Sequence, residues 1–286
     1  MPIRIIMVPL SGQEGAAASL EAAFLVGRMF DAHVEALHVT LDPRDSVAYM
    51  AEGMTSNMIQ DIMNTVESEG RQRLDRARAQ FDALCATYDA PVPADRAAKG
   101  FGASFANAVG REEEIISRRG RLTDLIVAGR SDSSGSSART TLEIALLETG
   151  RPVLVAPPKA PAGFGKSVAI AWNGSAEAAR AVGAGLPFLR AAERVGVLVV
   201  PEGARSGVPA GDLINYLAGH GIDASASAID ASEAKIAQAL MAAAAAGSID
   251  MLVMGAYTHS RLRHLIFGGA TSGILAHGDI PVLMQH

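Results

Sequence analysis

Only one cysteine, Cys85, occurs in the 286 residues, so no disulfide can form within the chain and nothing ties it to an oxidising compartment. Positive charge is not in excess either: 25 Lys and Arg stand against 30 Asp and Glu, for a net charge of -5. Broad binding along nucleic-acid phosphates needs a basic surface that displaces counterions, and this balance argues against it. Long apolar runs are also missing. The most apolar stretch, 240–246, is an alanine run between Lys235 and Asp250, far short of the roughly 18 residues that a membrane span requires. The opening MPIRIIMVPLSG has one early positive charge and no small-residue cleavage signature, so it reads as a first strand rather than a secretory signal. No histidine pair with nearby cysteines or carboxylates reads as a metal-ligand set, and no structural zinc site is expected. These absences predict a cytoplasmic protein that works away from membranes and nucleic acid.

What the chain does have is core material, with 49% hydrophobic residues against 19% charged. Its length suits two domains, at roughly 100–200 residues each. Short β-branched runs alternate with stretches rich in Ala, Leu and Glu, the pattern of βαβ units around a parallel sheet. In the first half, strands are expected over 3–9, 34–39, 124–129 and 152–156, and helices over 16–30 and 56–88. The second half predicts strands at 167–172, 195–200, 224–229, 250–255 and 281–284, with helices at 176–189, 211–220, 233–246 and 269–277. The mixed charges of ESEGRQRLDRARAQ within 56–88 read as a solvated helix face.

The halves repeat. DLIVAG (124–129) lies over DMLVMG (250–255), GRPVLVAPP (150–158) over DIPVLMQH (279–286), and MVPLSG (7–12) over AIAWNG (169–174). Such self-similarity is a strong organisational signal. Gly12 and Gly129 are 117 positions apart and Gly174 and Gly255 are 81; the excess of 36 in the first copy falls mainly in 42–55 and the long helix. PPKAPAGFGK (157–166) is rich in proline and glycine and reads as a linker. The expected division is a first domain over 1–158, a linker over 159–165 and a second domain over 166–286.

One stretch carries candidate chemistry: MGAYTHSRLRHLIFGGATSGIL, residues 254–275. Ligands of parallel α/β sheets bind beyond the carboxyl ends of strands, where strand order reverses, and Gly255 closes a predicted strand. Gly268, Gly269, Thr271 and Ser272 open the next helix, whose amides could receive a phosphate, with charge from His259, Arg261 and Arg263. The same residues also read as a plain glycine turn with a hydroxyl cap. His264 and His277 read as surface or packing residues.

GAYTHSRLRHLIFGGAT, AWNGSAEAARAV at 171–182 and the closing IPVLM resemble the universal stress protein family in its tandem two-domain form. The resemblance implies two tandem open parallel-sheet α/β domains of the adenine nucleotide alpha hydrolase-like class, five strands each. It also implies binding of ATP or another adenine nucleotide, with Mg2+. The family's glycine motif runs Gly, two residues, Gly, nine residues, Gly, then a small polar residue. On this chain the first and third glycines are Gly255 and Gly268, while Thr258 and Gly269 depart from the pattern. Thr258 places a β-carbon where nucleotide binders have none. By the same resemblance, Asn173 and Val199 line the adenosine side, and Gly255, His259, Gly268, Gly269, Thr271 and Ser272 surround the phosphates. Asn173 stands where the family has Asp, and Ser11 is its first-copy equivalent. The first copy has Arg139 and Thr140 in place of Gly268 and Gly269, with the serine-rich loop RSDSSGSSAR before them, so its nucleotide site is expected to be degenerate, although Arg130 and Arg139 could still hold an anion.

Three functions stay open on the sequence. The leading one is a nonenzymatic stress-response regulator that binds an adenine nucleotide in its C-terminal domain. The second is a nucleotide-independent module that presents the long helix to a protein partner. The third is a slow ATP hydrolase, prompted by PLSGQEG (9–15), which departs from the Ser-Gly-Gly-x-Asp-Ser signature of related pyrophosphatases at Gln13 and lacks its Asp-Ser. No catalytic nucleophile and base pair is evident, and Cys85 reads as a buried, inert helix thiol. Family members pair through their last strands, so 152–156 and 281–284 are expected to pair within this chain as a pseudo-dimer, which could dimerise again as a homodimer.

Overall fold

The computed structural model describes residues 2–13, 15–48, 55–93, 100–130, 137–159, 161–200, 207–230, 235–256, 273–274 and 278–286. The chain divides into two compact units, Ile3–Arg151 and Pro152–His286.

The first unit contains β1 (Ile5–Pro9), α1 (Ala17–Phe30), β2 (His33–Thr40), α2 (Pro43–Ala48), α3 (Ser56–Thr87), β3 (Gly102–Val109), α4 (Glu112–Gly120), β4 (Leu125–Gly129) and α5 (Ser137–Glu148). Its strands run parallel in the order β3-β2-β1-β4. Ile6, Met7, Val8, Val34, Ala36, Leu125, Ile126 and Val127 are all fully buried. Consecutive apolar residues suit a strand covered on both faces, as a parallel sheet demands. On α3, Thr55 caps the first turn by accepting from the Met58 amide, and Gly70, Ala77, Phe81, Leu84 and Cys85 form the buried stripe. Part of the charged run faces solvent, where Arg71 pairs with Glu67 and Arg78 with Asp82, each one helical turn apart, whereas Arg73 and Arg76 of the same run face the body of the first unit.

The second unit contains β5 (Val153–Ala156), β6 (Ser167–Trp172), α6 (Ala176–Ala191), β7 (Arg194–Val199), α7 (Ala210–Gly219), β8 (Ala224–Ala228), α8 (Ile236–Ala246), β9 (Met251–Gly255) and β10 (Val282–Gln285). The strand order is β5-β10-β9-β6-β7-β8, parallel except that β5 and β10 run antiparallel, with Leu283 opposite Leu154. These are the last strands of the two sequence copies, paired as expected. β5, paired with β10, groups with the second compact unit, which begins at Pro152. Within the expected linker, Phe164 is buried and the Gly165 amide donates to Asp250 Oδ1.

Among the described residues each half of the chain contributes five strands to this α/β architecture. The repeat also extends to side-chain roles. Asp124 Oδ2 accepts from the amides of Arg4 and Ile5 at 2.8 and 2.9 Å. Asp250 likewise accepts from Gly165, Lys166 and Ser167 at 2.9, 3.1 and 3.1 Å. In both copies the Asp of the matched DLIVAG and DMLVMG segments fastens the entry to the copy's first strand.

Several elements differ from the sequence expectation. β3 is absent from it because GASFANAV is built from Ala, Gly, Asn and Ser, which are weak strand formers; an eight-residue register with β2 makes it a strand. α4 offers only the adjacent pair Ile115 and Ile116 in EEEIISRRG, too little for a helical period, yet Glu112, Glu113 and Glu114 oppose the dipole of its first turn. α2 is likewise absent from the sequence expectation. Of the helix expected over 269–277, Gly273 and Ile274 are helical and the others lie outside the described residues.

Candidate functional site

In the second unit the strand order reverses between β6 and β9: β7 and β8 follow β6 on one side, and β9 and β10 lie on the other. Asn173 directly follows β6, Gly255 ends β9 and Val199 ends β7, where it lies opposite Trp172. Three of the sequence-predicted residues therefore meet at adjacent carboxyl ends, the place where α/β sheets take ligands. His259, Gly268, Gly269, Thr271 and Ser272 lie outside the described residues, as does Thr258.

The local geometry explains the residue types. Asn173 Oδ1 accepts from the Ser175 amide at 3.2 Å, which shapes the turn into α6. Its amide nitrogen makes no hydrogen bond with a described residue and remains a donor. Gly174 has φ +75 and sits so close to the 207–208 backbone that a β-carbon would lie 2.5 Å from the Val208 amide nitrogen. That cover is held by the Trp172 indole, which donates to the Val208 carbonyl at 2.9 Å, and by the Val208 amide, which donates to Gly174 at 3.1 Å. Gly255 abuts the first turn of α6, where a β-carbon would stand 2.6 Å from the Ala178 amide nitrogen. Its glycine is thus also a packing requirement. Burial works to raise the Glu177 carboxyl in that turn, but its own backbone amide, Arg180 and Ser175 hold it below the ordinary value.

The equivalent strand ends of the first unit are built alike but roofed differently. Ser11 Oγ accepts from the Gln13 amide at 3.3 Å, as Asn173 does in its own turn. Gly12 has φ +72, and a β-carbon there would overlap the Arg73 carbonyl of α3. Arg76 Nε and Gln80 Nε2 donate to the carbonyls of Gly12 and Gln13 at 3.1 and 3.2 Å. α3, 32 residues long where α7 has 10, therefore lies over the β1–α1 turn.

Beneath this roof is a cavity of about 360 Å³, lined from the ends of β1 and β2 and from α2, α3 and the start of α4. The sequence reading missed it. Its floor includes His38, which is 3% exposed and whose Nδ1 hydrogen donates to the Leu10 carbonyl at 2.8 Å. Burial pushes the His38 imidazole below its ordinary pKa and Arg73 acts in the same direction, while the Leu10 bond and Glu112 partly oppose them. The neutral ring leaves Nε2 as an acceptor. The one sequence sign of this cavity was the 36-residue excess, which supplies α2 and most of the extra length of α3.

Comparison with known proteins adds a family match and a likeness of fold. The profile of the universal stress protein family matches residues 165–286. These residues belong to the universal stress protein family. A curated universal stress protein of Synechocystis sp. is 53% identical over 36 residues, which is 13% of this chain and 12% of that protein's length. The crystal structure of a universal stress protein from Archaeoglobus fulgidus superposes with a TM-score of 0.68 at 15% identity, covering 98% of this chain and 95% of that one. A functionally unknown protein from Pseudomonas aeruginosa gives 0.53 at 14% identity, covering 99% and 92%. At such identities the likeness is one of fold, and it spans nearly the whole chain. No described helix is long and apolar enough to cross a membrane.

Proposed function

We propose that the chain is a nonenzymatic stress-response regulator whose C-terminal universal stress protein domain binds an adenine nucleotide, ATP foremost, at the ends of β6, β7 and β9. The observation that carries this reading is the convergence of Asn173, Val199 and Gly255 on either side of the strand-order reversal. Asn173 brings an amide donor for the adenosine side and Val199 an apolar edge. Gly255 allows the close backbone approach that a phosphate needs. His259, Gly268, Gly269, Thr271 and Ser272 complete the phosphate side in this proposal, with Gly268 at the family's spacing from Gly255. Among the described residues no three His, Cys, Asp or Glu side chains are grouped to hold a metal, so Mg2+ would arrive with the nucleotide's phosphates. The antiparallel pairing of β5 with β10 supports a tandem chain that forms its own pseudo-dimer.

Equilibrium dialysis of the full chain against ATP and AMP tests this. Binding is expected, with weaker retention by Asn173→Ala. Absence of binding at millimolar nucleotide removes the proposal.

A further inference from the structure

We propose that the cavity of the first unit is a second, separate ligand site that takes an amino-acid-sized zwitterion, its anionic group on Arg73 and its cationic group on Asp45. This site is independent of the nucleotide reading, because every lining residue belongs to the first unit.

The argument starts from charge left over. The cavity is lined by two guanidinium groups, Arg73 and Arg111, and three carboxylates, Asp45, Glu112 and Glu113. Arg111 lies 3.7 Å from Glu113 and 3.9 Å from Glu114, and Glu112 accepts from the Thr141 hydroxyl. Arg44, next to Asp45, is committed to Asp42 at 3.0 Å. Asp45 on α2 and Arg73 on α3 remain. Both are half-buried, and neither makes a side-chain hydrogen bond or ion pair with a described residue, the other included. Two opposite charges on the wall of one cavity, each without a partner among the described residues, suit a ligand that bridges them.

The same inventory selects the ligand class. A polyanion such as a nucleotide triphosphate would meet three carboxylates, and a polycation would meet Arg73. A molecule with one charge of each sign meets both requirements. His38 adds a third contact: it is nearly fully buried, its Nδ1 hydrogen is held by Leu10, and its Nε2 can accept from the ligand's ammonium. A volume of about 360 Å³ lies at the small end of ligand pockets and suits a single amino acid. Asp45 and the first turns of α3 lie in the chain's excess over its second copy. The insertion is then the roof of a small-molecule site.

Calorimetric titration of the full chain with each of the twenty free L-amino acids tests the proposal, with succinate and putrescine as single-sign probes. At least one amino acid is expected to bind while neither single-sign probe does. Arg73→Gln and Asp45→Asn should each weaken it at least tenfold, with far-UV circular dichroism unchanged. Arg73→Lys should recover part of the loss, and Arg71→Gln, on the solvent face of α3, should leave binding intact. Any of four results overturns the proposal: no amino acid binding at millimolar concentration, unaltered binding by both charge variants, equal binding of succinate or putrescine, or displacement of the amino acid by ATP.

Discussion

Arg76 Nε donates to the carbonyl oxygen of Gly12 at 3.1 Å across 64 positions of sequence, tying the middle of α3 to the turn that leaves β1. The two backbones approach so closely that only glycine fits at position 12. Gly12→Ala combines a left-handed backbone with a collision against α3, and is expected to cost more than about 2 kcal/mol. Gly15→Ala is the matched control: its φ is +84 but nothing lies within 4 Å of the added carbon, so it should cost only about 1 kcal/mol of backbone strain. Urea denaturation of the two variants checks the difference.

His38 makes the fold sensitive to acid. Its folded pKa lies below the ordinary 6.5 because it is buried. The unfolded chain therefore takes up this proton first, so the stability is fully present above pH 6.5 and is lost as pH falls toward the folded value. Denaturation midpoints measured downward from pH 7 should fall more steeply for the wild type than for His38→Gln.

Cys85 should be slow to alkylate. It is 8% exposed, and burial, helped by the Asp82 charge, pushes its thiol up to about 11. Little thiolate exists at neutral pH. Iodoacetamide labelling of the native protein should be far slower than labelling in denaturant, and equal rates would place the thiol at the surface.

Asp250 fastens three amides and Asp124 two. Removing an ionised acceptor leaves its donors to find water. Asp250→Ala is expected to destabilise the second unit by roughly 2–4 kcal/mol and Asp124→Ala the first by somewhat less. Hydrogen exchange at Lys166 and Ser167, faster in Asp250→Ala alone, would locate the effect.

The sequence made the repeat legible because its matched segments do the same work twice: Asp124 and Asp250 hold strand entries, and the two PVL segments become β5 and β10. Asn173, Val199 and Gly255 could be named as a group because the resemblance to the universal stress protein family assigns them together; the apolar strand pattern by itself marked Gly255 as a strand end. β3 stayed hidden, since Ala, Gly and Asn become a strand only through pairing with β2. The cavity stayed hidden for a different reason. His38, Asp45 and Arg73 come from a strand and two helices, and only the packing of α3 over the β1–α1 turn brings them to one wall. The insertion was visible as length, which suggested a helix presented to a partner, and nothing in its sequence marked it as a roof.

Hydrogen-exchange mass spectrometry of the full chain with and without Mg-ATP tests the central claim most directly. The account predicts protection of peptides spanning 171–178, 198–200 and 252–256, with none at the β1 and β2 ends of the first unit. Saturating Mg-ATP that leaves those peptides unprotected, or that protects only the first unit, would contradict it.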